Sequence, residues 1–457
     1  MPAAPSPPLT RMSTTVRNCD QGDADPIHET SPHSEWTQTQ LLPLLRSHLP
    51  HSLPLLRRIQ HEIAHPSPTA VILTTFPGPA PPASSSASLP VSPSASGAVP
   101  IPELVSDPGP GPIPVPGPRV PDPTRTLAPD TVVPAAASDP ESFPWLVAHV
   151  DLSAGRETQV ILYSSLERTT ANPFQEHVFT GTSQEDSSGS DSDSSTVPIT
   201  TIPSQHHPLL RTQLLSLLHY IKQHLLPPYL TTLSQSQSPS QTQDHQLPPP
   251  PSTAFLFGNL HTGVFSTLLN PNTNTSYSLA QPNSPADFIP GLKVHRFSQP
   301  AYVKYLLPRE VISHPQDQKE GEKNLPPGFH FSDGCIPRKN LGLVRSRTVI
   351  PRSEETLSKL RSCAVYRDDG SEEPVAWAFL GTDGSLATLH VEEEVRGLGL
   401  AGYVGREVMR RGIEEDEGLD NGWMHSNAAM DNMQSRRVME KLGGRIGWTV
   451  CWCVLEV

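Results

Sequence analysis

The sequence predicts an α+β protein, with a mixed, mostly antiparallel sheet and flanking helices in about its last 130 residues and a second, interrupted α/β lobe before them. Three observations predict this. Short β-branched and aromatic runs alternate with helically spaced leucines from residue 36 to about 312. Tracts rich in Pro, Ala, Ser and Gly break up that region and stop near Leu325. Beyond Leu325, strand-like runs follow one another through tight turns and pass into a strand, helix, strand unit.

Composition bounds the partners. With 54 prolines and 35% hydrophobic residues in 457, the folded part is smaller than the length implies. A net charge of -13 leaves no basic face to neutralise a run of phosphates, so nucleic acid is not an expected partner. Five scattered cysteines make no disulfide framework. Cys451 and Cys453 would share one face of a strand and read as small buried side chains rather than a zinc pair, so no metal is expected. No run approaches the roughly 18 apolar residues of a membrane span, and the first 30 residues lack a signal-peptide core. A soluble protein of cytoplasm or nucleus is expected; the prolines of "MPAAPSPPLTRMSTTVRN" oppose the amphipathic helix of a mitochondrial transit peptide.

Residues 1–35 read as a disordered tail, followed by "LLPLLRSHLPHSLPLLRRIQHEIA", which prolines divide into short helices. "TAVILTTFP" reads as a buried strand, and residues 78–139 as a disordered tract too poor in apolar side chains to offset its backbone entropy. "FPWLVAHVDL" and "TQVILYSSLE" are two more strands. A second insertion, 181–200, contains "SQEDSSGSDSDSS", a solvated acidic loop with phosphorylatable serines. In "LLRTQLLSLLHYIKQHLL" the residues Leu210, Leu214, Leu217, Leu218, Ile221 and Leu225 share one helix face, and Pro227-Pro228 should stop that helix. A third insertion, 234–252, precedes the strand-like runs "TAFLFGNLHTGVFSTLL" and "GLKVHRFSQPAYVKYLL". Residues 36–312 thus read as one lobe with three disordered insertions. The proline-rich and acidic-serine tracts are candidate docking sites for protein partners.

From 325 to 457 the expected order is a strand at "GFHFSDGC", helices at "PRKNLGLVRSR" and "SEETLSKLR", and strands at "CAVYR" and "VAWAFL". A hairpin turn at "GTDG" returns as "SLATLHV". A helix from near Leu400, a strand at "WMHS", a helix from Asn432 to Leu442 and a last strand at "WTVCWCVLEV" complete it. Trp377, Trp423, Trp448 and Trp452 are expected to pack in the sheet core.

The stretch "HVEEEVRGLGLAGYVGREVMRRG", His390 to Gly412, joins a strand to a helix through glycines. Such a turn leaves backbone N–H groups unpaired beside the positive end of the helix macrodipole, which makes an anion site. Gly397, Gly399 and Gly402 keep side chains off that backbone, and Arg396 adds a positive charge. Their spacing also fits a dinucleotide-binding turn, but the strand before them returns from a hairpin instead of opening a parallel unit. Arg396-x-x-Gly399-x-Ala401 resembles the Arg/Gln-x-x-Gly-x-Gly/Ala signature of GNAT-superfamily acyltransferases. "DNMQSRRVMEKLGGR" resembles their Asn-x-x-Ser/Ala…Tyr-x-Lys-x-Gly-Phe helix, with Asn432, Ser435, Lys441, Leu442 and Gly443 in matching places. "VAWAFLGTDGSLATLHV" before "EVRGLGLA" is similar to the glycine N-acyltransferase-like branch, whose two GNAT-like lobes sit in tandem with the coenzyme motif in the C-terminal one. The resemblance covers about residues 325–457; "TQVILYSSLE" is similar to a segment of the first lobe, which would be a degenerate GNAT-like lobe.

The resemblance implies an N-acyltransferase domain at 325–457 that moves an acetyl or other acyl group, not an amino-acyl group, from acyl-CoA to the amine of a small molecule or amino acid. The amine would attack directly in a ternary complex. Coenzyme contacts are implied for Leu389, His390, Val391, Arg396, Gly397, Leu398, Gly399, Leu400, Ala401, Asn432 and Ser435, with a backbone N–H near His390 or Val391 polarising the thioester carbonyl. Glu392, Glu393 and Glu394 should turn to solvent, since they would repel a bound anion. The chain departs from the pattern where protons move: Ser385 stands for a glutamate, Met439 for the helix tyrosine and Gly444 for the phenylalanine. Candidate catalytic groups are Asp383, acting through water, and His390, whose ordinary pKa suits a base, with His425 a third. These departures leave two rivals open: a pseudoenzyme that binds coenzyme without turnover, and an interaction scaffold.

Overall fold

A computed structural model describes residues 27–76, 143–155, 157–170, 197–235, 250–313, 325–348, 350, 352–415 and 422–456. Most of the tail and nearly all of the three tracts read as insertions lie outside the described residues.

The strand β1 (His28–Thr30) falls in the stretch read as a tail and pairs with β2 (Val71–Thr74). Between them α1 (Leu42–Ser47) and α2 (Leu53–Ala64) each carry a proline in the first turn, where a missing N–H goes unnoticed. Then come β3 (Leu146–Val150), β4 (Val160–Ser164), α3 (His207–Tyr220) and α4 (Leu226–Gln235). Pro227-Pro228 do not stop the helix. A π-turn over Ile221–Leu225 joins α3 to α4, and both prolines fall in the first turn of α4, where no backbone donor is needed.

β5 (Phe255–His261) turns directly into α5 (Thr262–Ser266), so the second half of "TAFLFGNLHTGVFSTLL" is helical. The His261 ring accepts the Gly263 N–H and caps that turn. β6 (Lys293–Phe297), β7 (Tyr302–Pro308) and α6 (Arg309–Ser313) complete this part. The remainder is β8 (Phe329–Phe331), α7 (Leu341–Ser346), α8 (Glu354–Lys359), β9 (Ser362–Arg367), β10 (Ala376–Leu380), β11 (Ser385–Val391), α9 (Leu400–Glu415), β12 (Trp423–Ala429), α10 (Met433–Lys441) and β13 (Arg445–Glu456).

Among the described residues thirteen strands form one sheet, in the order β1-β2-β3-β4-β5-β13-β7-β12-β11-β10-β9-β8, with β6 also on β13. The pairing is antiparallel except at β4 with β5 and β11 with β12. One pattern therefore occurs twice, a four-stranded antiparallel run followed by a parallel step. The two halves exchange strands at the centre: β13 lies between β5 and β7, and β7 lies between β13 and β12.

Helices cover both faces, which is why β3, β4 and β10 are buried along their whole length. On β10, Ala376, Ala378 and Leu380 face a core with Val404, Val408 and Met409 of α9, while Trp377 and Phe379 face Leu341, Val344 and Leu357 of α7 and α8. In the first half, α1 and α2 pack on one face around Trp145 and Tyr163, and α3 packs on the other around Phe255 and Phe257. Cys451 and Cys453 are fully buried in this last core. Among the described residues no helix is long and apolar enough to cross a membrane.

Gly443 ends α10 at φ +82°, and a Cβ there would overlap the Val311 side chain. Gly443→Ala is expected to lower the unfolding free energy by about 2–4 kcal/mol, combining left-handed strain with overpacking. A urea melt with an unchanged midpoint would contradict this.

Candidate active site

The turn between β11 and α9 is built for close approach. A bulge in β11 lies opposite Trp377 to Phe379, and within it Thr388 is held at φ +52°, a strained conformation for a β-branched residue. Pairing with β12 is confined to Ser385↔His425 and Leu386↔Ser426; beyond it the two strands part. Leu389, His390 and Val391 are half-buried along that opened edge. A short 3-10 turn, Glu393–Val395, then leads to Arg396.

Gly397 (φ +86°) and Gly399 (φ +77°) adopt conformations that favour glycine, and Cβ atoms at Gly397 and Gly402 would meet nothing within 4 Å. The Arg396 N–H donates to Glu393 and that of Gly402 to Gly399. Among the described residues nothing accepts from the N–H groups of Gly397 to Ala401, which sit at the positive end of the 16-residue α9. Leu398 is exposed there and Leu400 buried. The Arg396 guanidinium donates from Nε to Val391 O (3.1 Å) and from Nη1 to Glu393 Oε1 (3.3 Å).

Glu393 and Glu394 do turn to solvent, but Glu392 does not. Its carboxylate accepts from Arg347 Nε at 2.9 Å and its side chain is 14% exposed. Burial works against its charge, yet the Arg347 bond outweighs that and holds the carboxyl below its ordinary range. Glu392 is thus ionised and paired with Arg347.

His390 stacks on Trp377 with ring centroids 4.5 Å apart. Burial keeps its imidazole below the ordinary range, against the pull of Glu392 at 3.6 Å. Asn432 caps α10, its side chain accepting the Ser435 N–H at 3.0 Å. Met439 and Leu442 are buried in the α9 core, so the position of the expected tyrosine presents no hydroxyl.

The other end of β11 opens on a cavity of about 970 Å³. Its walls come from the end of α2, the β3–β4 connection and β5 on one side, and from the α7–α8 segment and the hairpin before β11 on the other. Asp383 and Ser385 line it. Asp383 Oδ1 accepts from the Ser385 N–H (3.1 Å) and hydroxyl (2.6 Å), and Oδ2 accepts from Asn259 Nδ2 at 2.9 Å. Burial alone would raise this carboxyl, but His425, Lys304 and the Ser385 bonds outweigh it and hold it below its ordinary range. It is therefore ionised at neutral pH.

Behind it, His425 Nε2 lies 2.8 Å from the Asp383 carbonyl, which can only accept. Nε2 thus carries the proton and Nδ1 accepts from Lys304 Nζ at 3.0 Å. Burial, then Lys304, pushes His425 down to about 3, while burial lowers Lys304 to about 7. Both ring nitrogens of His425 are occupied. His390 is five residues along the strand from Ser385, about 16 Å at the rise of an extended chain. Of the three candidate bases, the fold brings Asp383 alone to the cavity wall. Sequence reasoning missed Asn259 and Lys304, which approach Asp383 only through the strand exchange. Among the described residues no three His, Cys, Asp or Glu are grouped to hold a metal ion.

An N-terminal half with this sheet order, joined to a splayed strand pair and a glycine-rich turn, defines the class. Residues 365–453 match the family of FR47-like proteins, and residues 25–305 match the family described as the acyl-CoA N-acyltransferase verG N-terminal domain. The second match spans more than half of the sequence, so the chain belongs to the acyl-CoA N-acyltransferase verG family, within the GNAT superfamily of acyltransferases. No curated protein sequence matches it. Among solved structures, a Drosophila protein is 12% identical over 94% of this chain and 98% of its own, at a TM-score of 0.45. A GCN5-related N-acetyltransferase from Kribbella flavida is 10% identical over 35% and 60%, at 0.25. A tandem GNAT protein from the clavulanic acid biosynthesis pathway is 14% identical over 34% and 52%, also at 0.25.

Proposed function

We propose that the chain transfers an acetyl or other acyl group from acyl-CoA to the amine of a small molecule or amino acid, in the manner of glycine N-acyltransferases. The observation that carries this is β11 itself: one end lines a cavity with an ionised, buried carboxylate, and the other runs into a turn of unpaired N–H groups. The N–H groups of Gly397 to Ala401, the α9 dipole and Arg396 hold the coenzyme pyrophosphate. The thioester lies along the parted edge at Leu389 to Val391, with Asn432 and Ser435 closing over the coenzyme. Asp383, at the other end of β11, takes a proton from the acceptor ammonium through a chain of water molecules, with Ser385 fixing the carboxylate. The freed amine attacks the thioester carbon, the C–S bond breaks, and the second proton shed by nitrogen passes to the leaving thiolate. The products are an amide and free coenzyme A.

We further infer two GNAT-like lobes, 36–312 and 325–457, with one coenzyme site. The described residues 197–206 that lead into α3 have no glycine, whereas the turn that leads into α9 has three within six residues, Gly397 to Gly402. Calorimetry with acetyl-CoA and longer acyl-CoAs tests the site. Arg396→Glu combined with Gly399→Glu is expected to abolish binding in a protein that still folds, its melting temperature lowered by the strain of a side chain at φ +77°; unchanged affinity would remove the turn from the site. Ser385 and the buried Met439 favour the rival pseudoenzyme. Binding without turnover across an amine panel read by mass spectrometry would establish that rival.

A further inference from the structure

We propose that a pocket between α2 and the α8–β9 connection binds a small organic anion, a carboxylate or phosphate group on an apolar body. This goes beyond the reaction proposed above and does not depend on it. The pocket has a volume of about 410 Å³, toward the small end of the range of about 300–1,000 Å³ for small-molecule sites. One wall is α2 of the first half, through Arg57, Gln60 and Ala64; the other includes Cys335, Arg361 and the hairpin before β11. Gly384 of that hairpin is five residues from Leu389, about 16 Å along an extended strand, so the pocket is separate from the edge where the thioester is proposed to lie.

Charge distinguishes this pocket from the larger cavity. Arg57, Lys359 and Arg361 bring three positive charges to its walls, and no Asp or Glu is among the described residues that line it, whereas five carboxylates line the cavity. Arg57 is 8% exposed, and its Nη1 donates to Gln60 Oε1 at 3.4 Å. Its stem crosses Gly384, where a Cβ would come within 2.8 Å of the Arg57 Cγ. Lys359 meets Glu355 at 3.1 Å with both side chains more than half exposed, a pair that water screens and a ligand can displace. Like charges gathered between low-dielectric walls focus a positive potential, which an anion relieves. Ala64, Leu360, Leu380 and Met424 supply an apolar surface for the body of the ligand. A free amino acid is disfavoured there, because its ammonium would find no carboxylate. The same molecule with its nitrogen acylated carries only the negative charge.

The test uses the full-length protein and calorimetry. N-acetylleucine or phenyl phosphate is expected to bind with a Kd below about 1 mM, the tighter of the two identifying the head group. Leucine adds an ammonium, N-acetylleucinamide has no charge and inorganic phosphate has no apolar body, so each is expected to bind at least tenfold more weakly. Cys335 is exposed on the pocket wall while Cys363, Cys451 and Cys453 are buried. Saturating ligand should therefore slow alkylation of Cys335, read by peptide mass spectrometry, at least threefold. Arg361→Gln removes a cation, and Ala64→Trp fills the pocket from an exposed position of α2. Each is expected to weaken binding at least tenfold with acetyl-CoA affinity unchanged. Failure of both anions to bind, equal binding of N-acetylleucinamide, or full affinity in folded Ala64→Trp would overturn the assignment. None of these measurements involves turnover, so the result stands apart from the fate of the proposed reaction.

Discussion

Asp383→Asn is expected to lower kcat by about 10²–10⁴-fold, the usual contribution of a general base, while acetyl-CoA affinity changes by less than about twofold. The substitution keeps the size of the side chain, and its Oδ1 still accepts from the Ser385 N–H and hydroxyl. Its new amide meets Asn259 donor to donor, which a flip of the Asn259 amide relieves. Lys304 loses a neighbouring negative charge, but its pKa already lies near 7, so it becomes neutral instead of remaining a buried, unpaired cation. The variant should therefore fold. The glycine turn proposed to hold the coenzyme is at the far end of β11 and keeps its own contacts. His390→Ala is the necessary companion, because His390 is the rival base. A wild-type kcat in Asp383→Asn, together with a collapse in His390→Ala, would transfer the role to the imidazole.

The glycine turn between β11 and α9 was legible in the sequence because everything that shapes it is local. A hairpin, a strand end, two glycines at positive φ and a helix start all lie within about thirty residues, and each is set by its own residue types. Glu392 was misread as solvent-facing for the opposite reason: its partner Arg347 is 45 positions away and could not be inferred from spacing. Asn259 and Lys304 are further examples. Lys304 reads as one polar residue in an apolar strand, "AYVKYLL", and nothing in that pattern says that β7 crosses into the second half and meets His425. The prolines at 227 and 228 show a third kind of limit. The rule that proline ends a helix is sound inside one, but a π-turn reset the register and placed both residues in a new first turn.

Between pH 6.5 and about 4 the protein is expected to lose most of its stability, taking up protons as it unfolds. Burial is the largest cause holding His48, His51 and His61 down to about 4 and His261 down to about 3, and nearby Arg168, Arg58 and His51 add to it. Unfolded histidines bind protons near 6.5, so within this window the unfolded chain binds more protons than the folded one, and stability falls with pH. A tenfold loss of proton affinity on folding corresponds to about 1.4 kcal/mol, so His261 alone, fully buried, withdraws roughly 3 kcal/mol by the bottom of the window. Against a total of about 5–15 kcal/mol, two to four such groups are enough. Glu167 works the other way. Burial raises it to about 8, so its folded state holds an extra proton from pH 8 down to 4.5 and gains stability as pH falls across that range. That softens the start of the decline but is complete by 4.5, where the histidine losses are still growing. His261 on β5 pairs with Val450 of β13, and His425 on β12 pairs with Leu306 of β7, so protonation strikes on both sides of the exchanged strands. Hydrogen exchange should accordingly show β7 and β13 opening first as the pH drops. Urea melts at pH 7, 5.5 and 4.5 should show a steep fall that His261→Gln makes shallower, and equal midpoints at all three pH values would contradict the assignment of these histidines as buried and neutral.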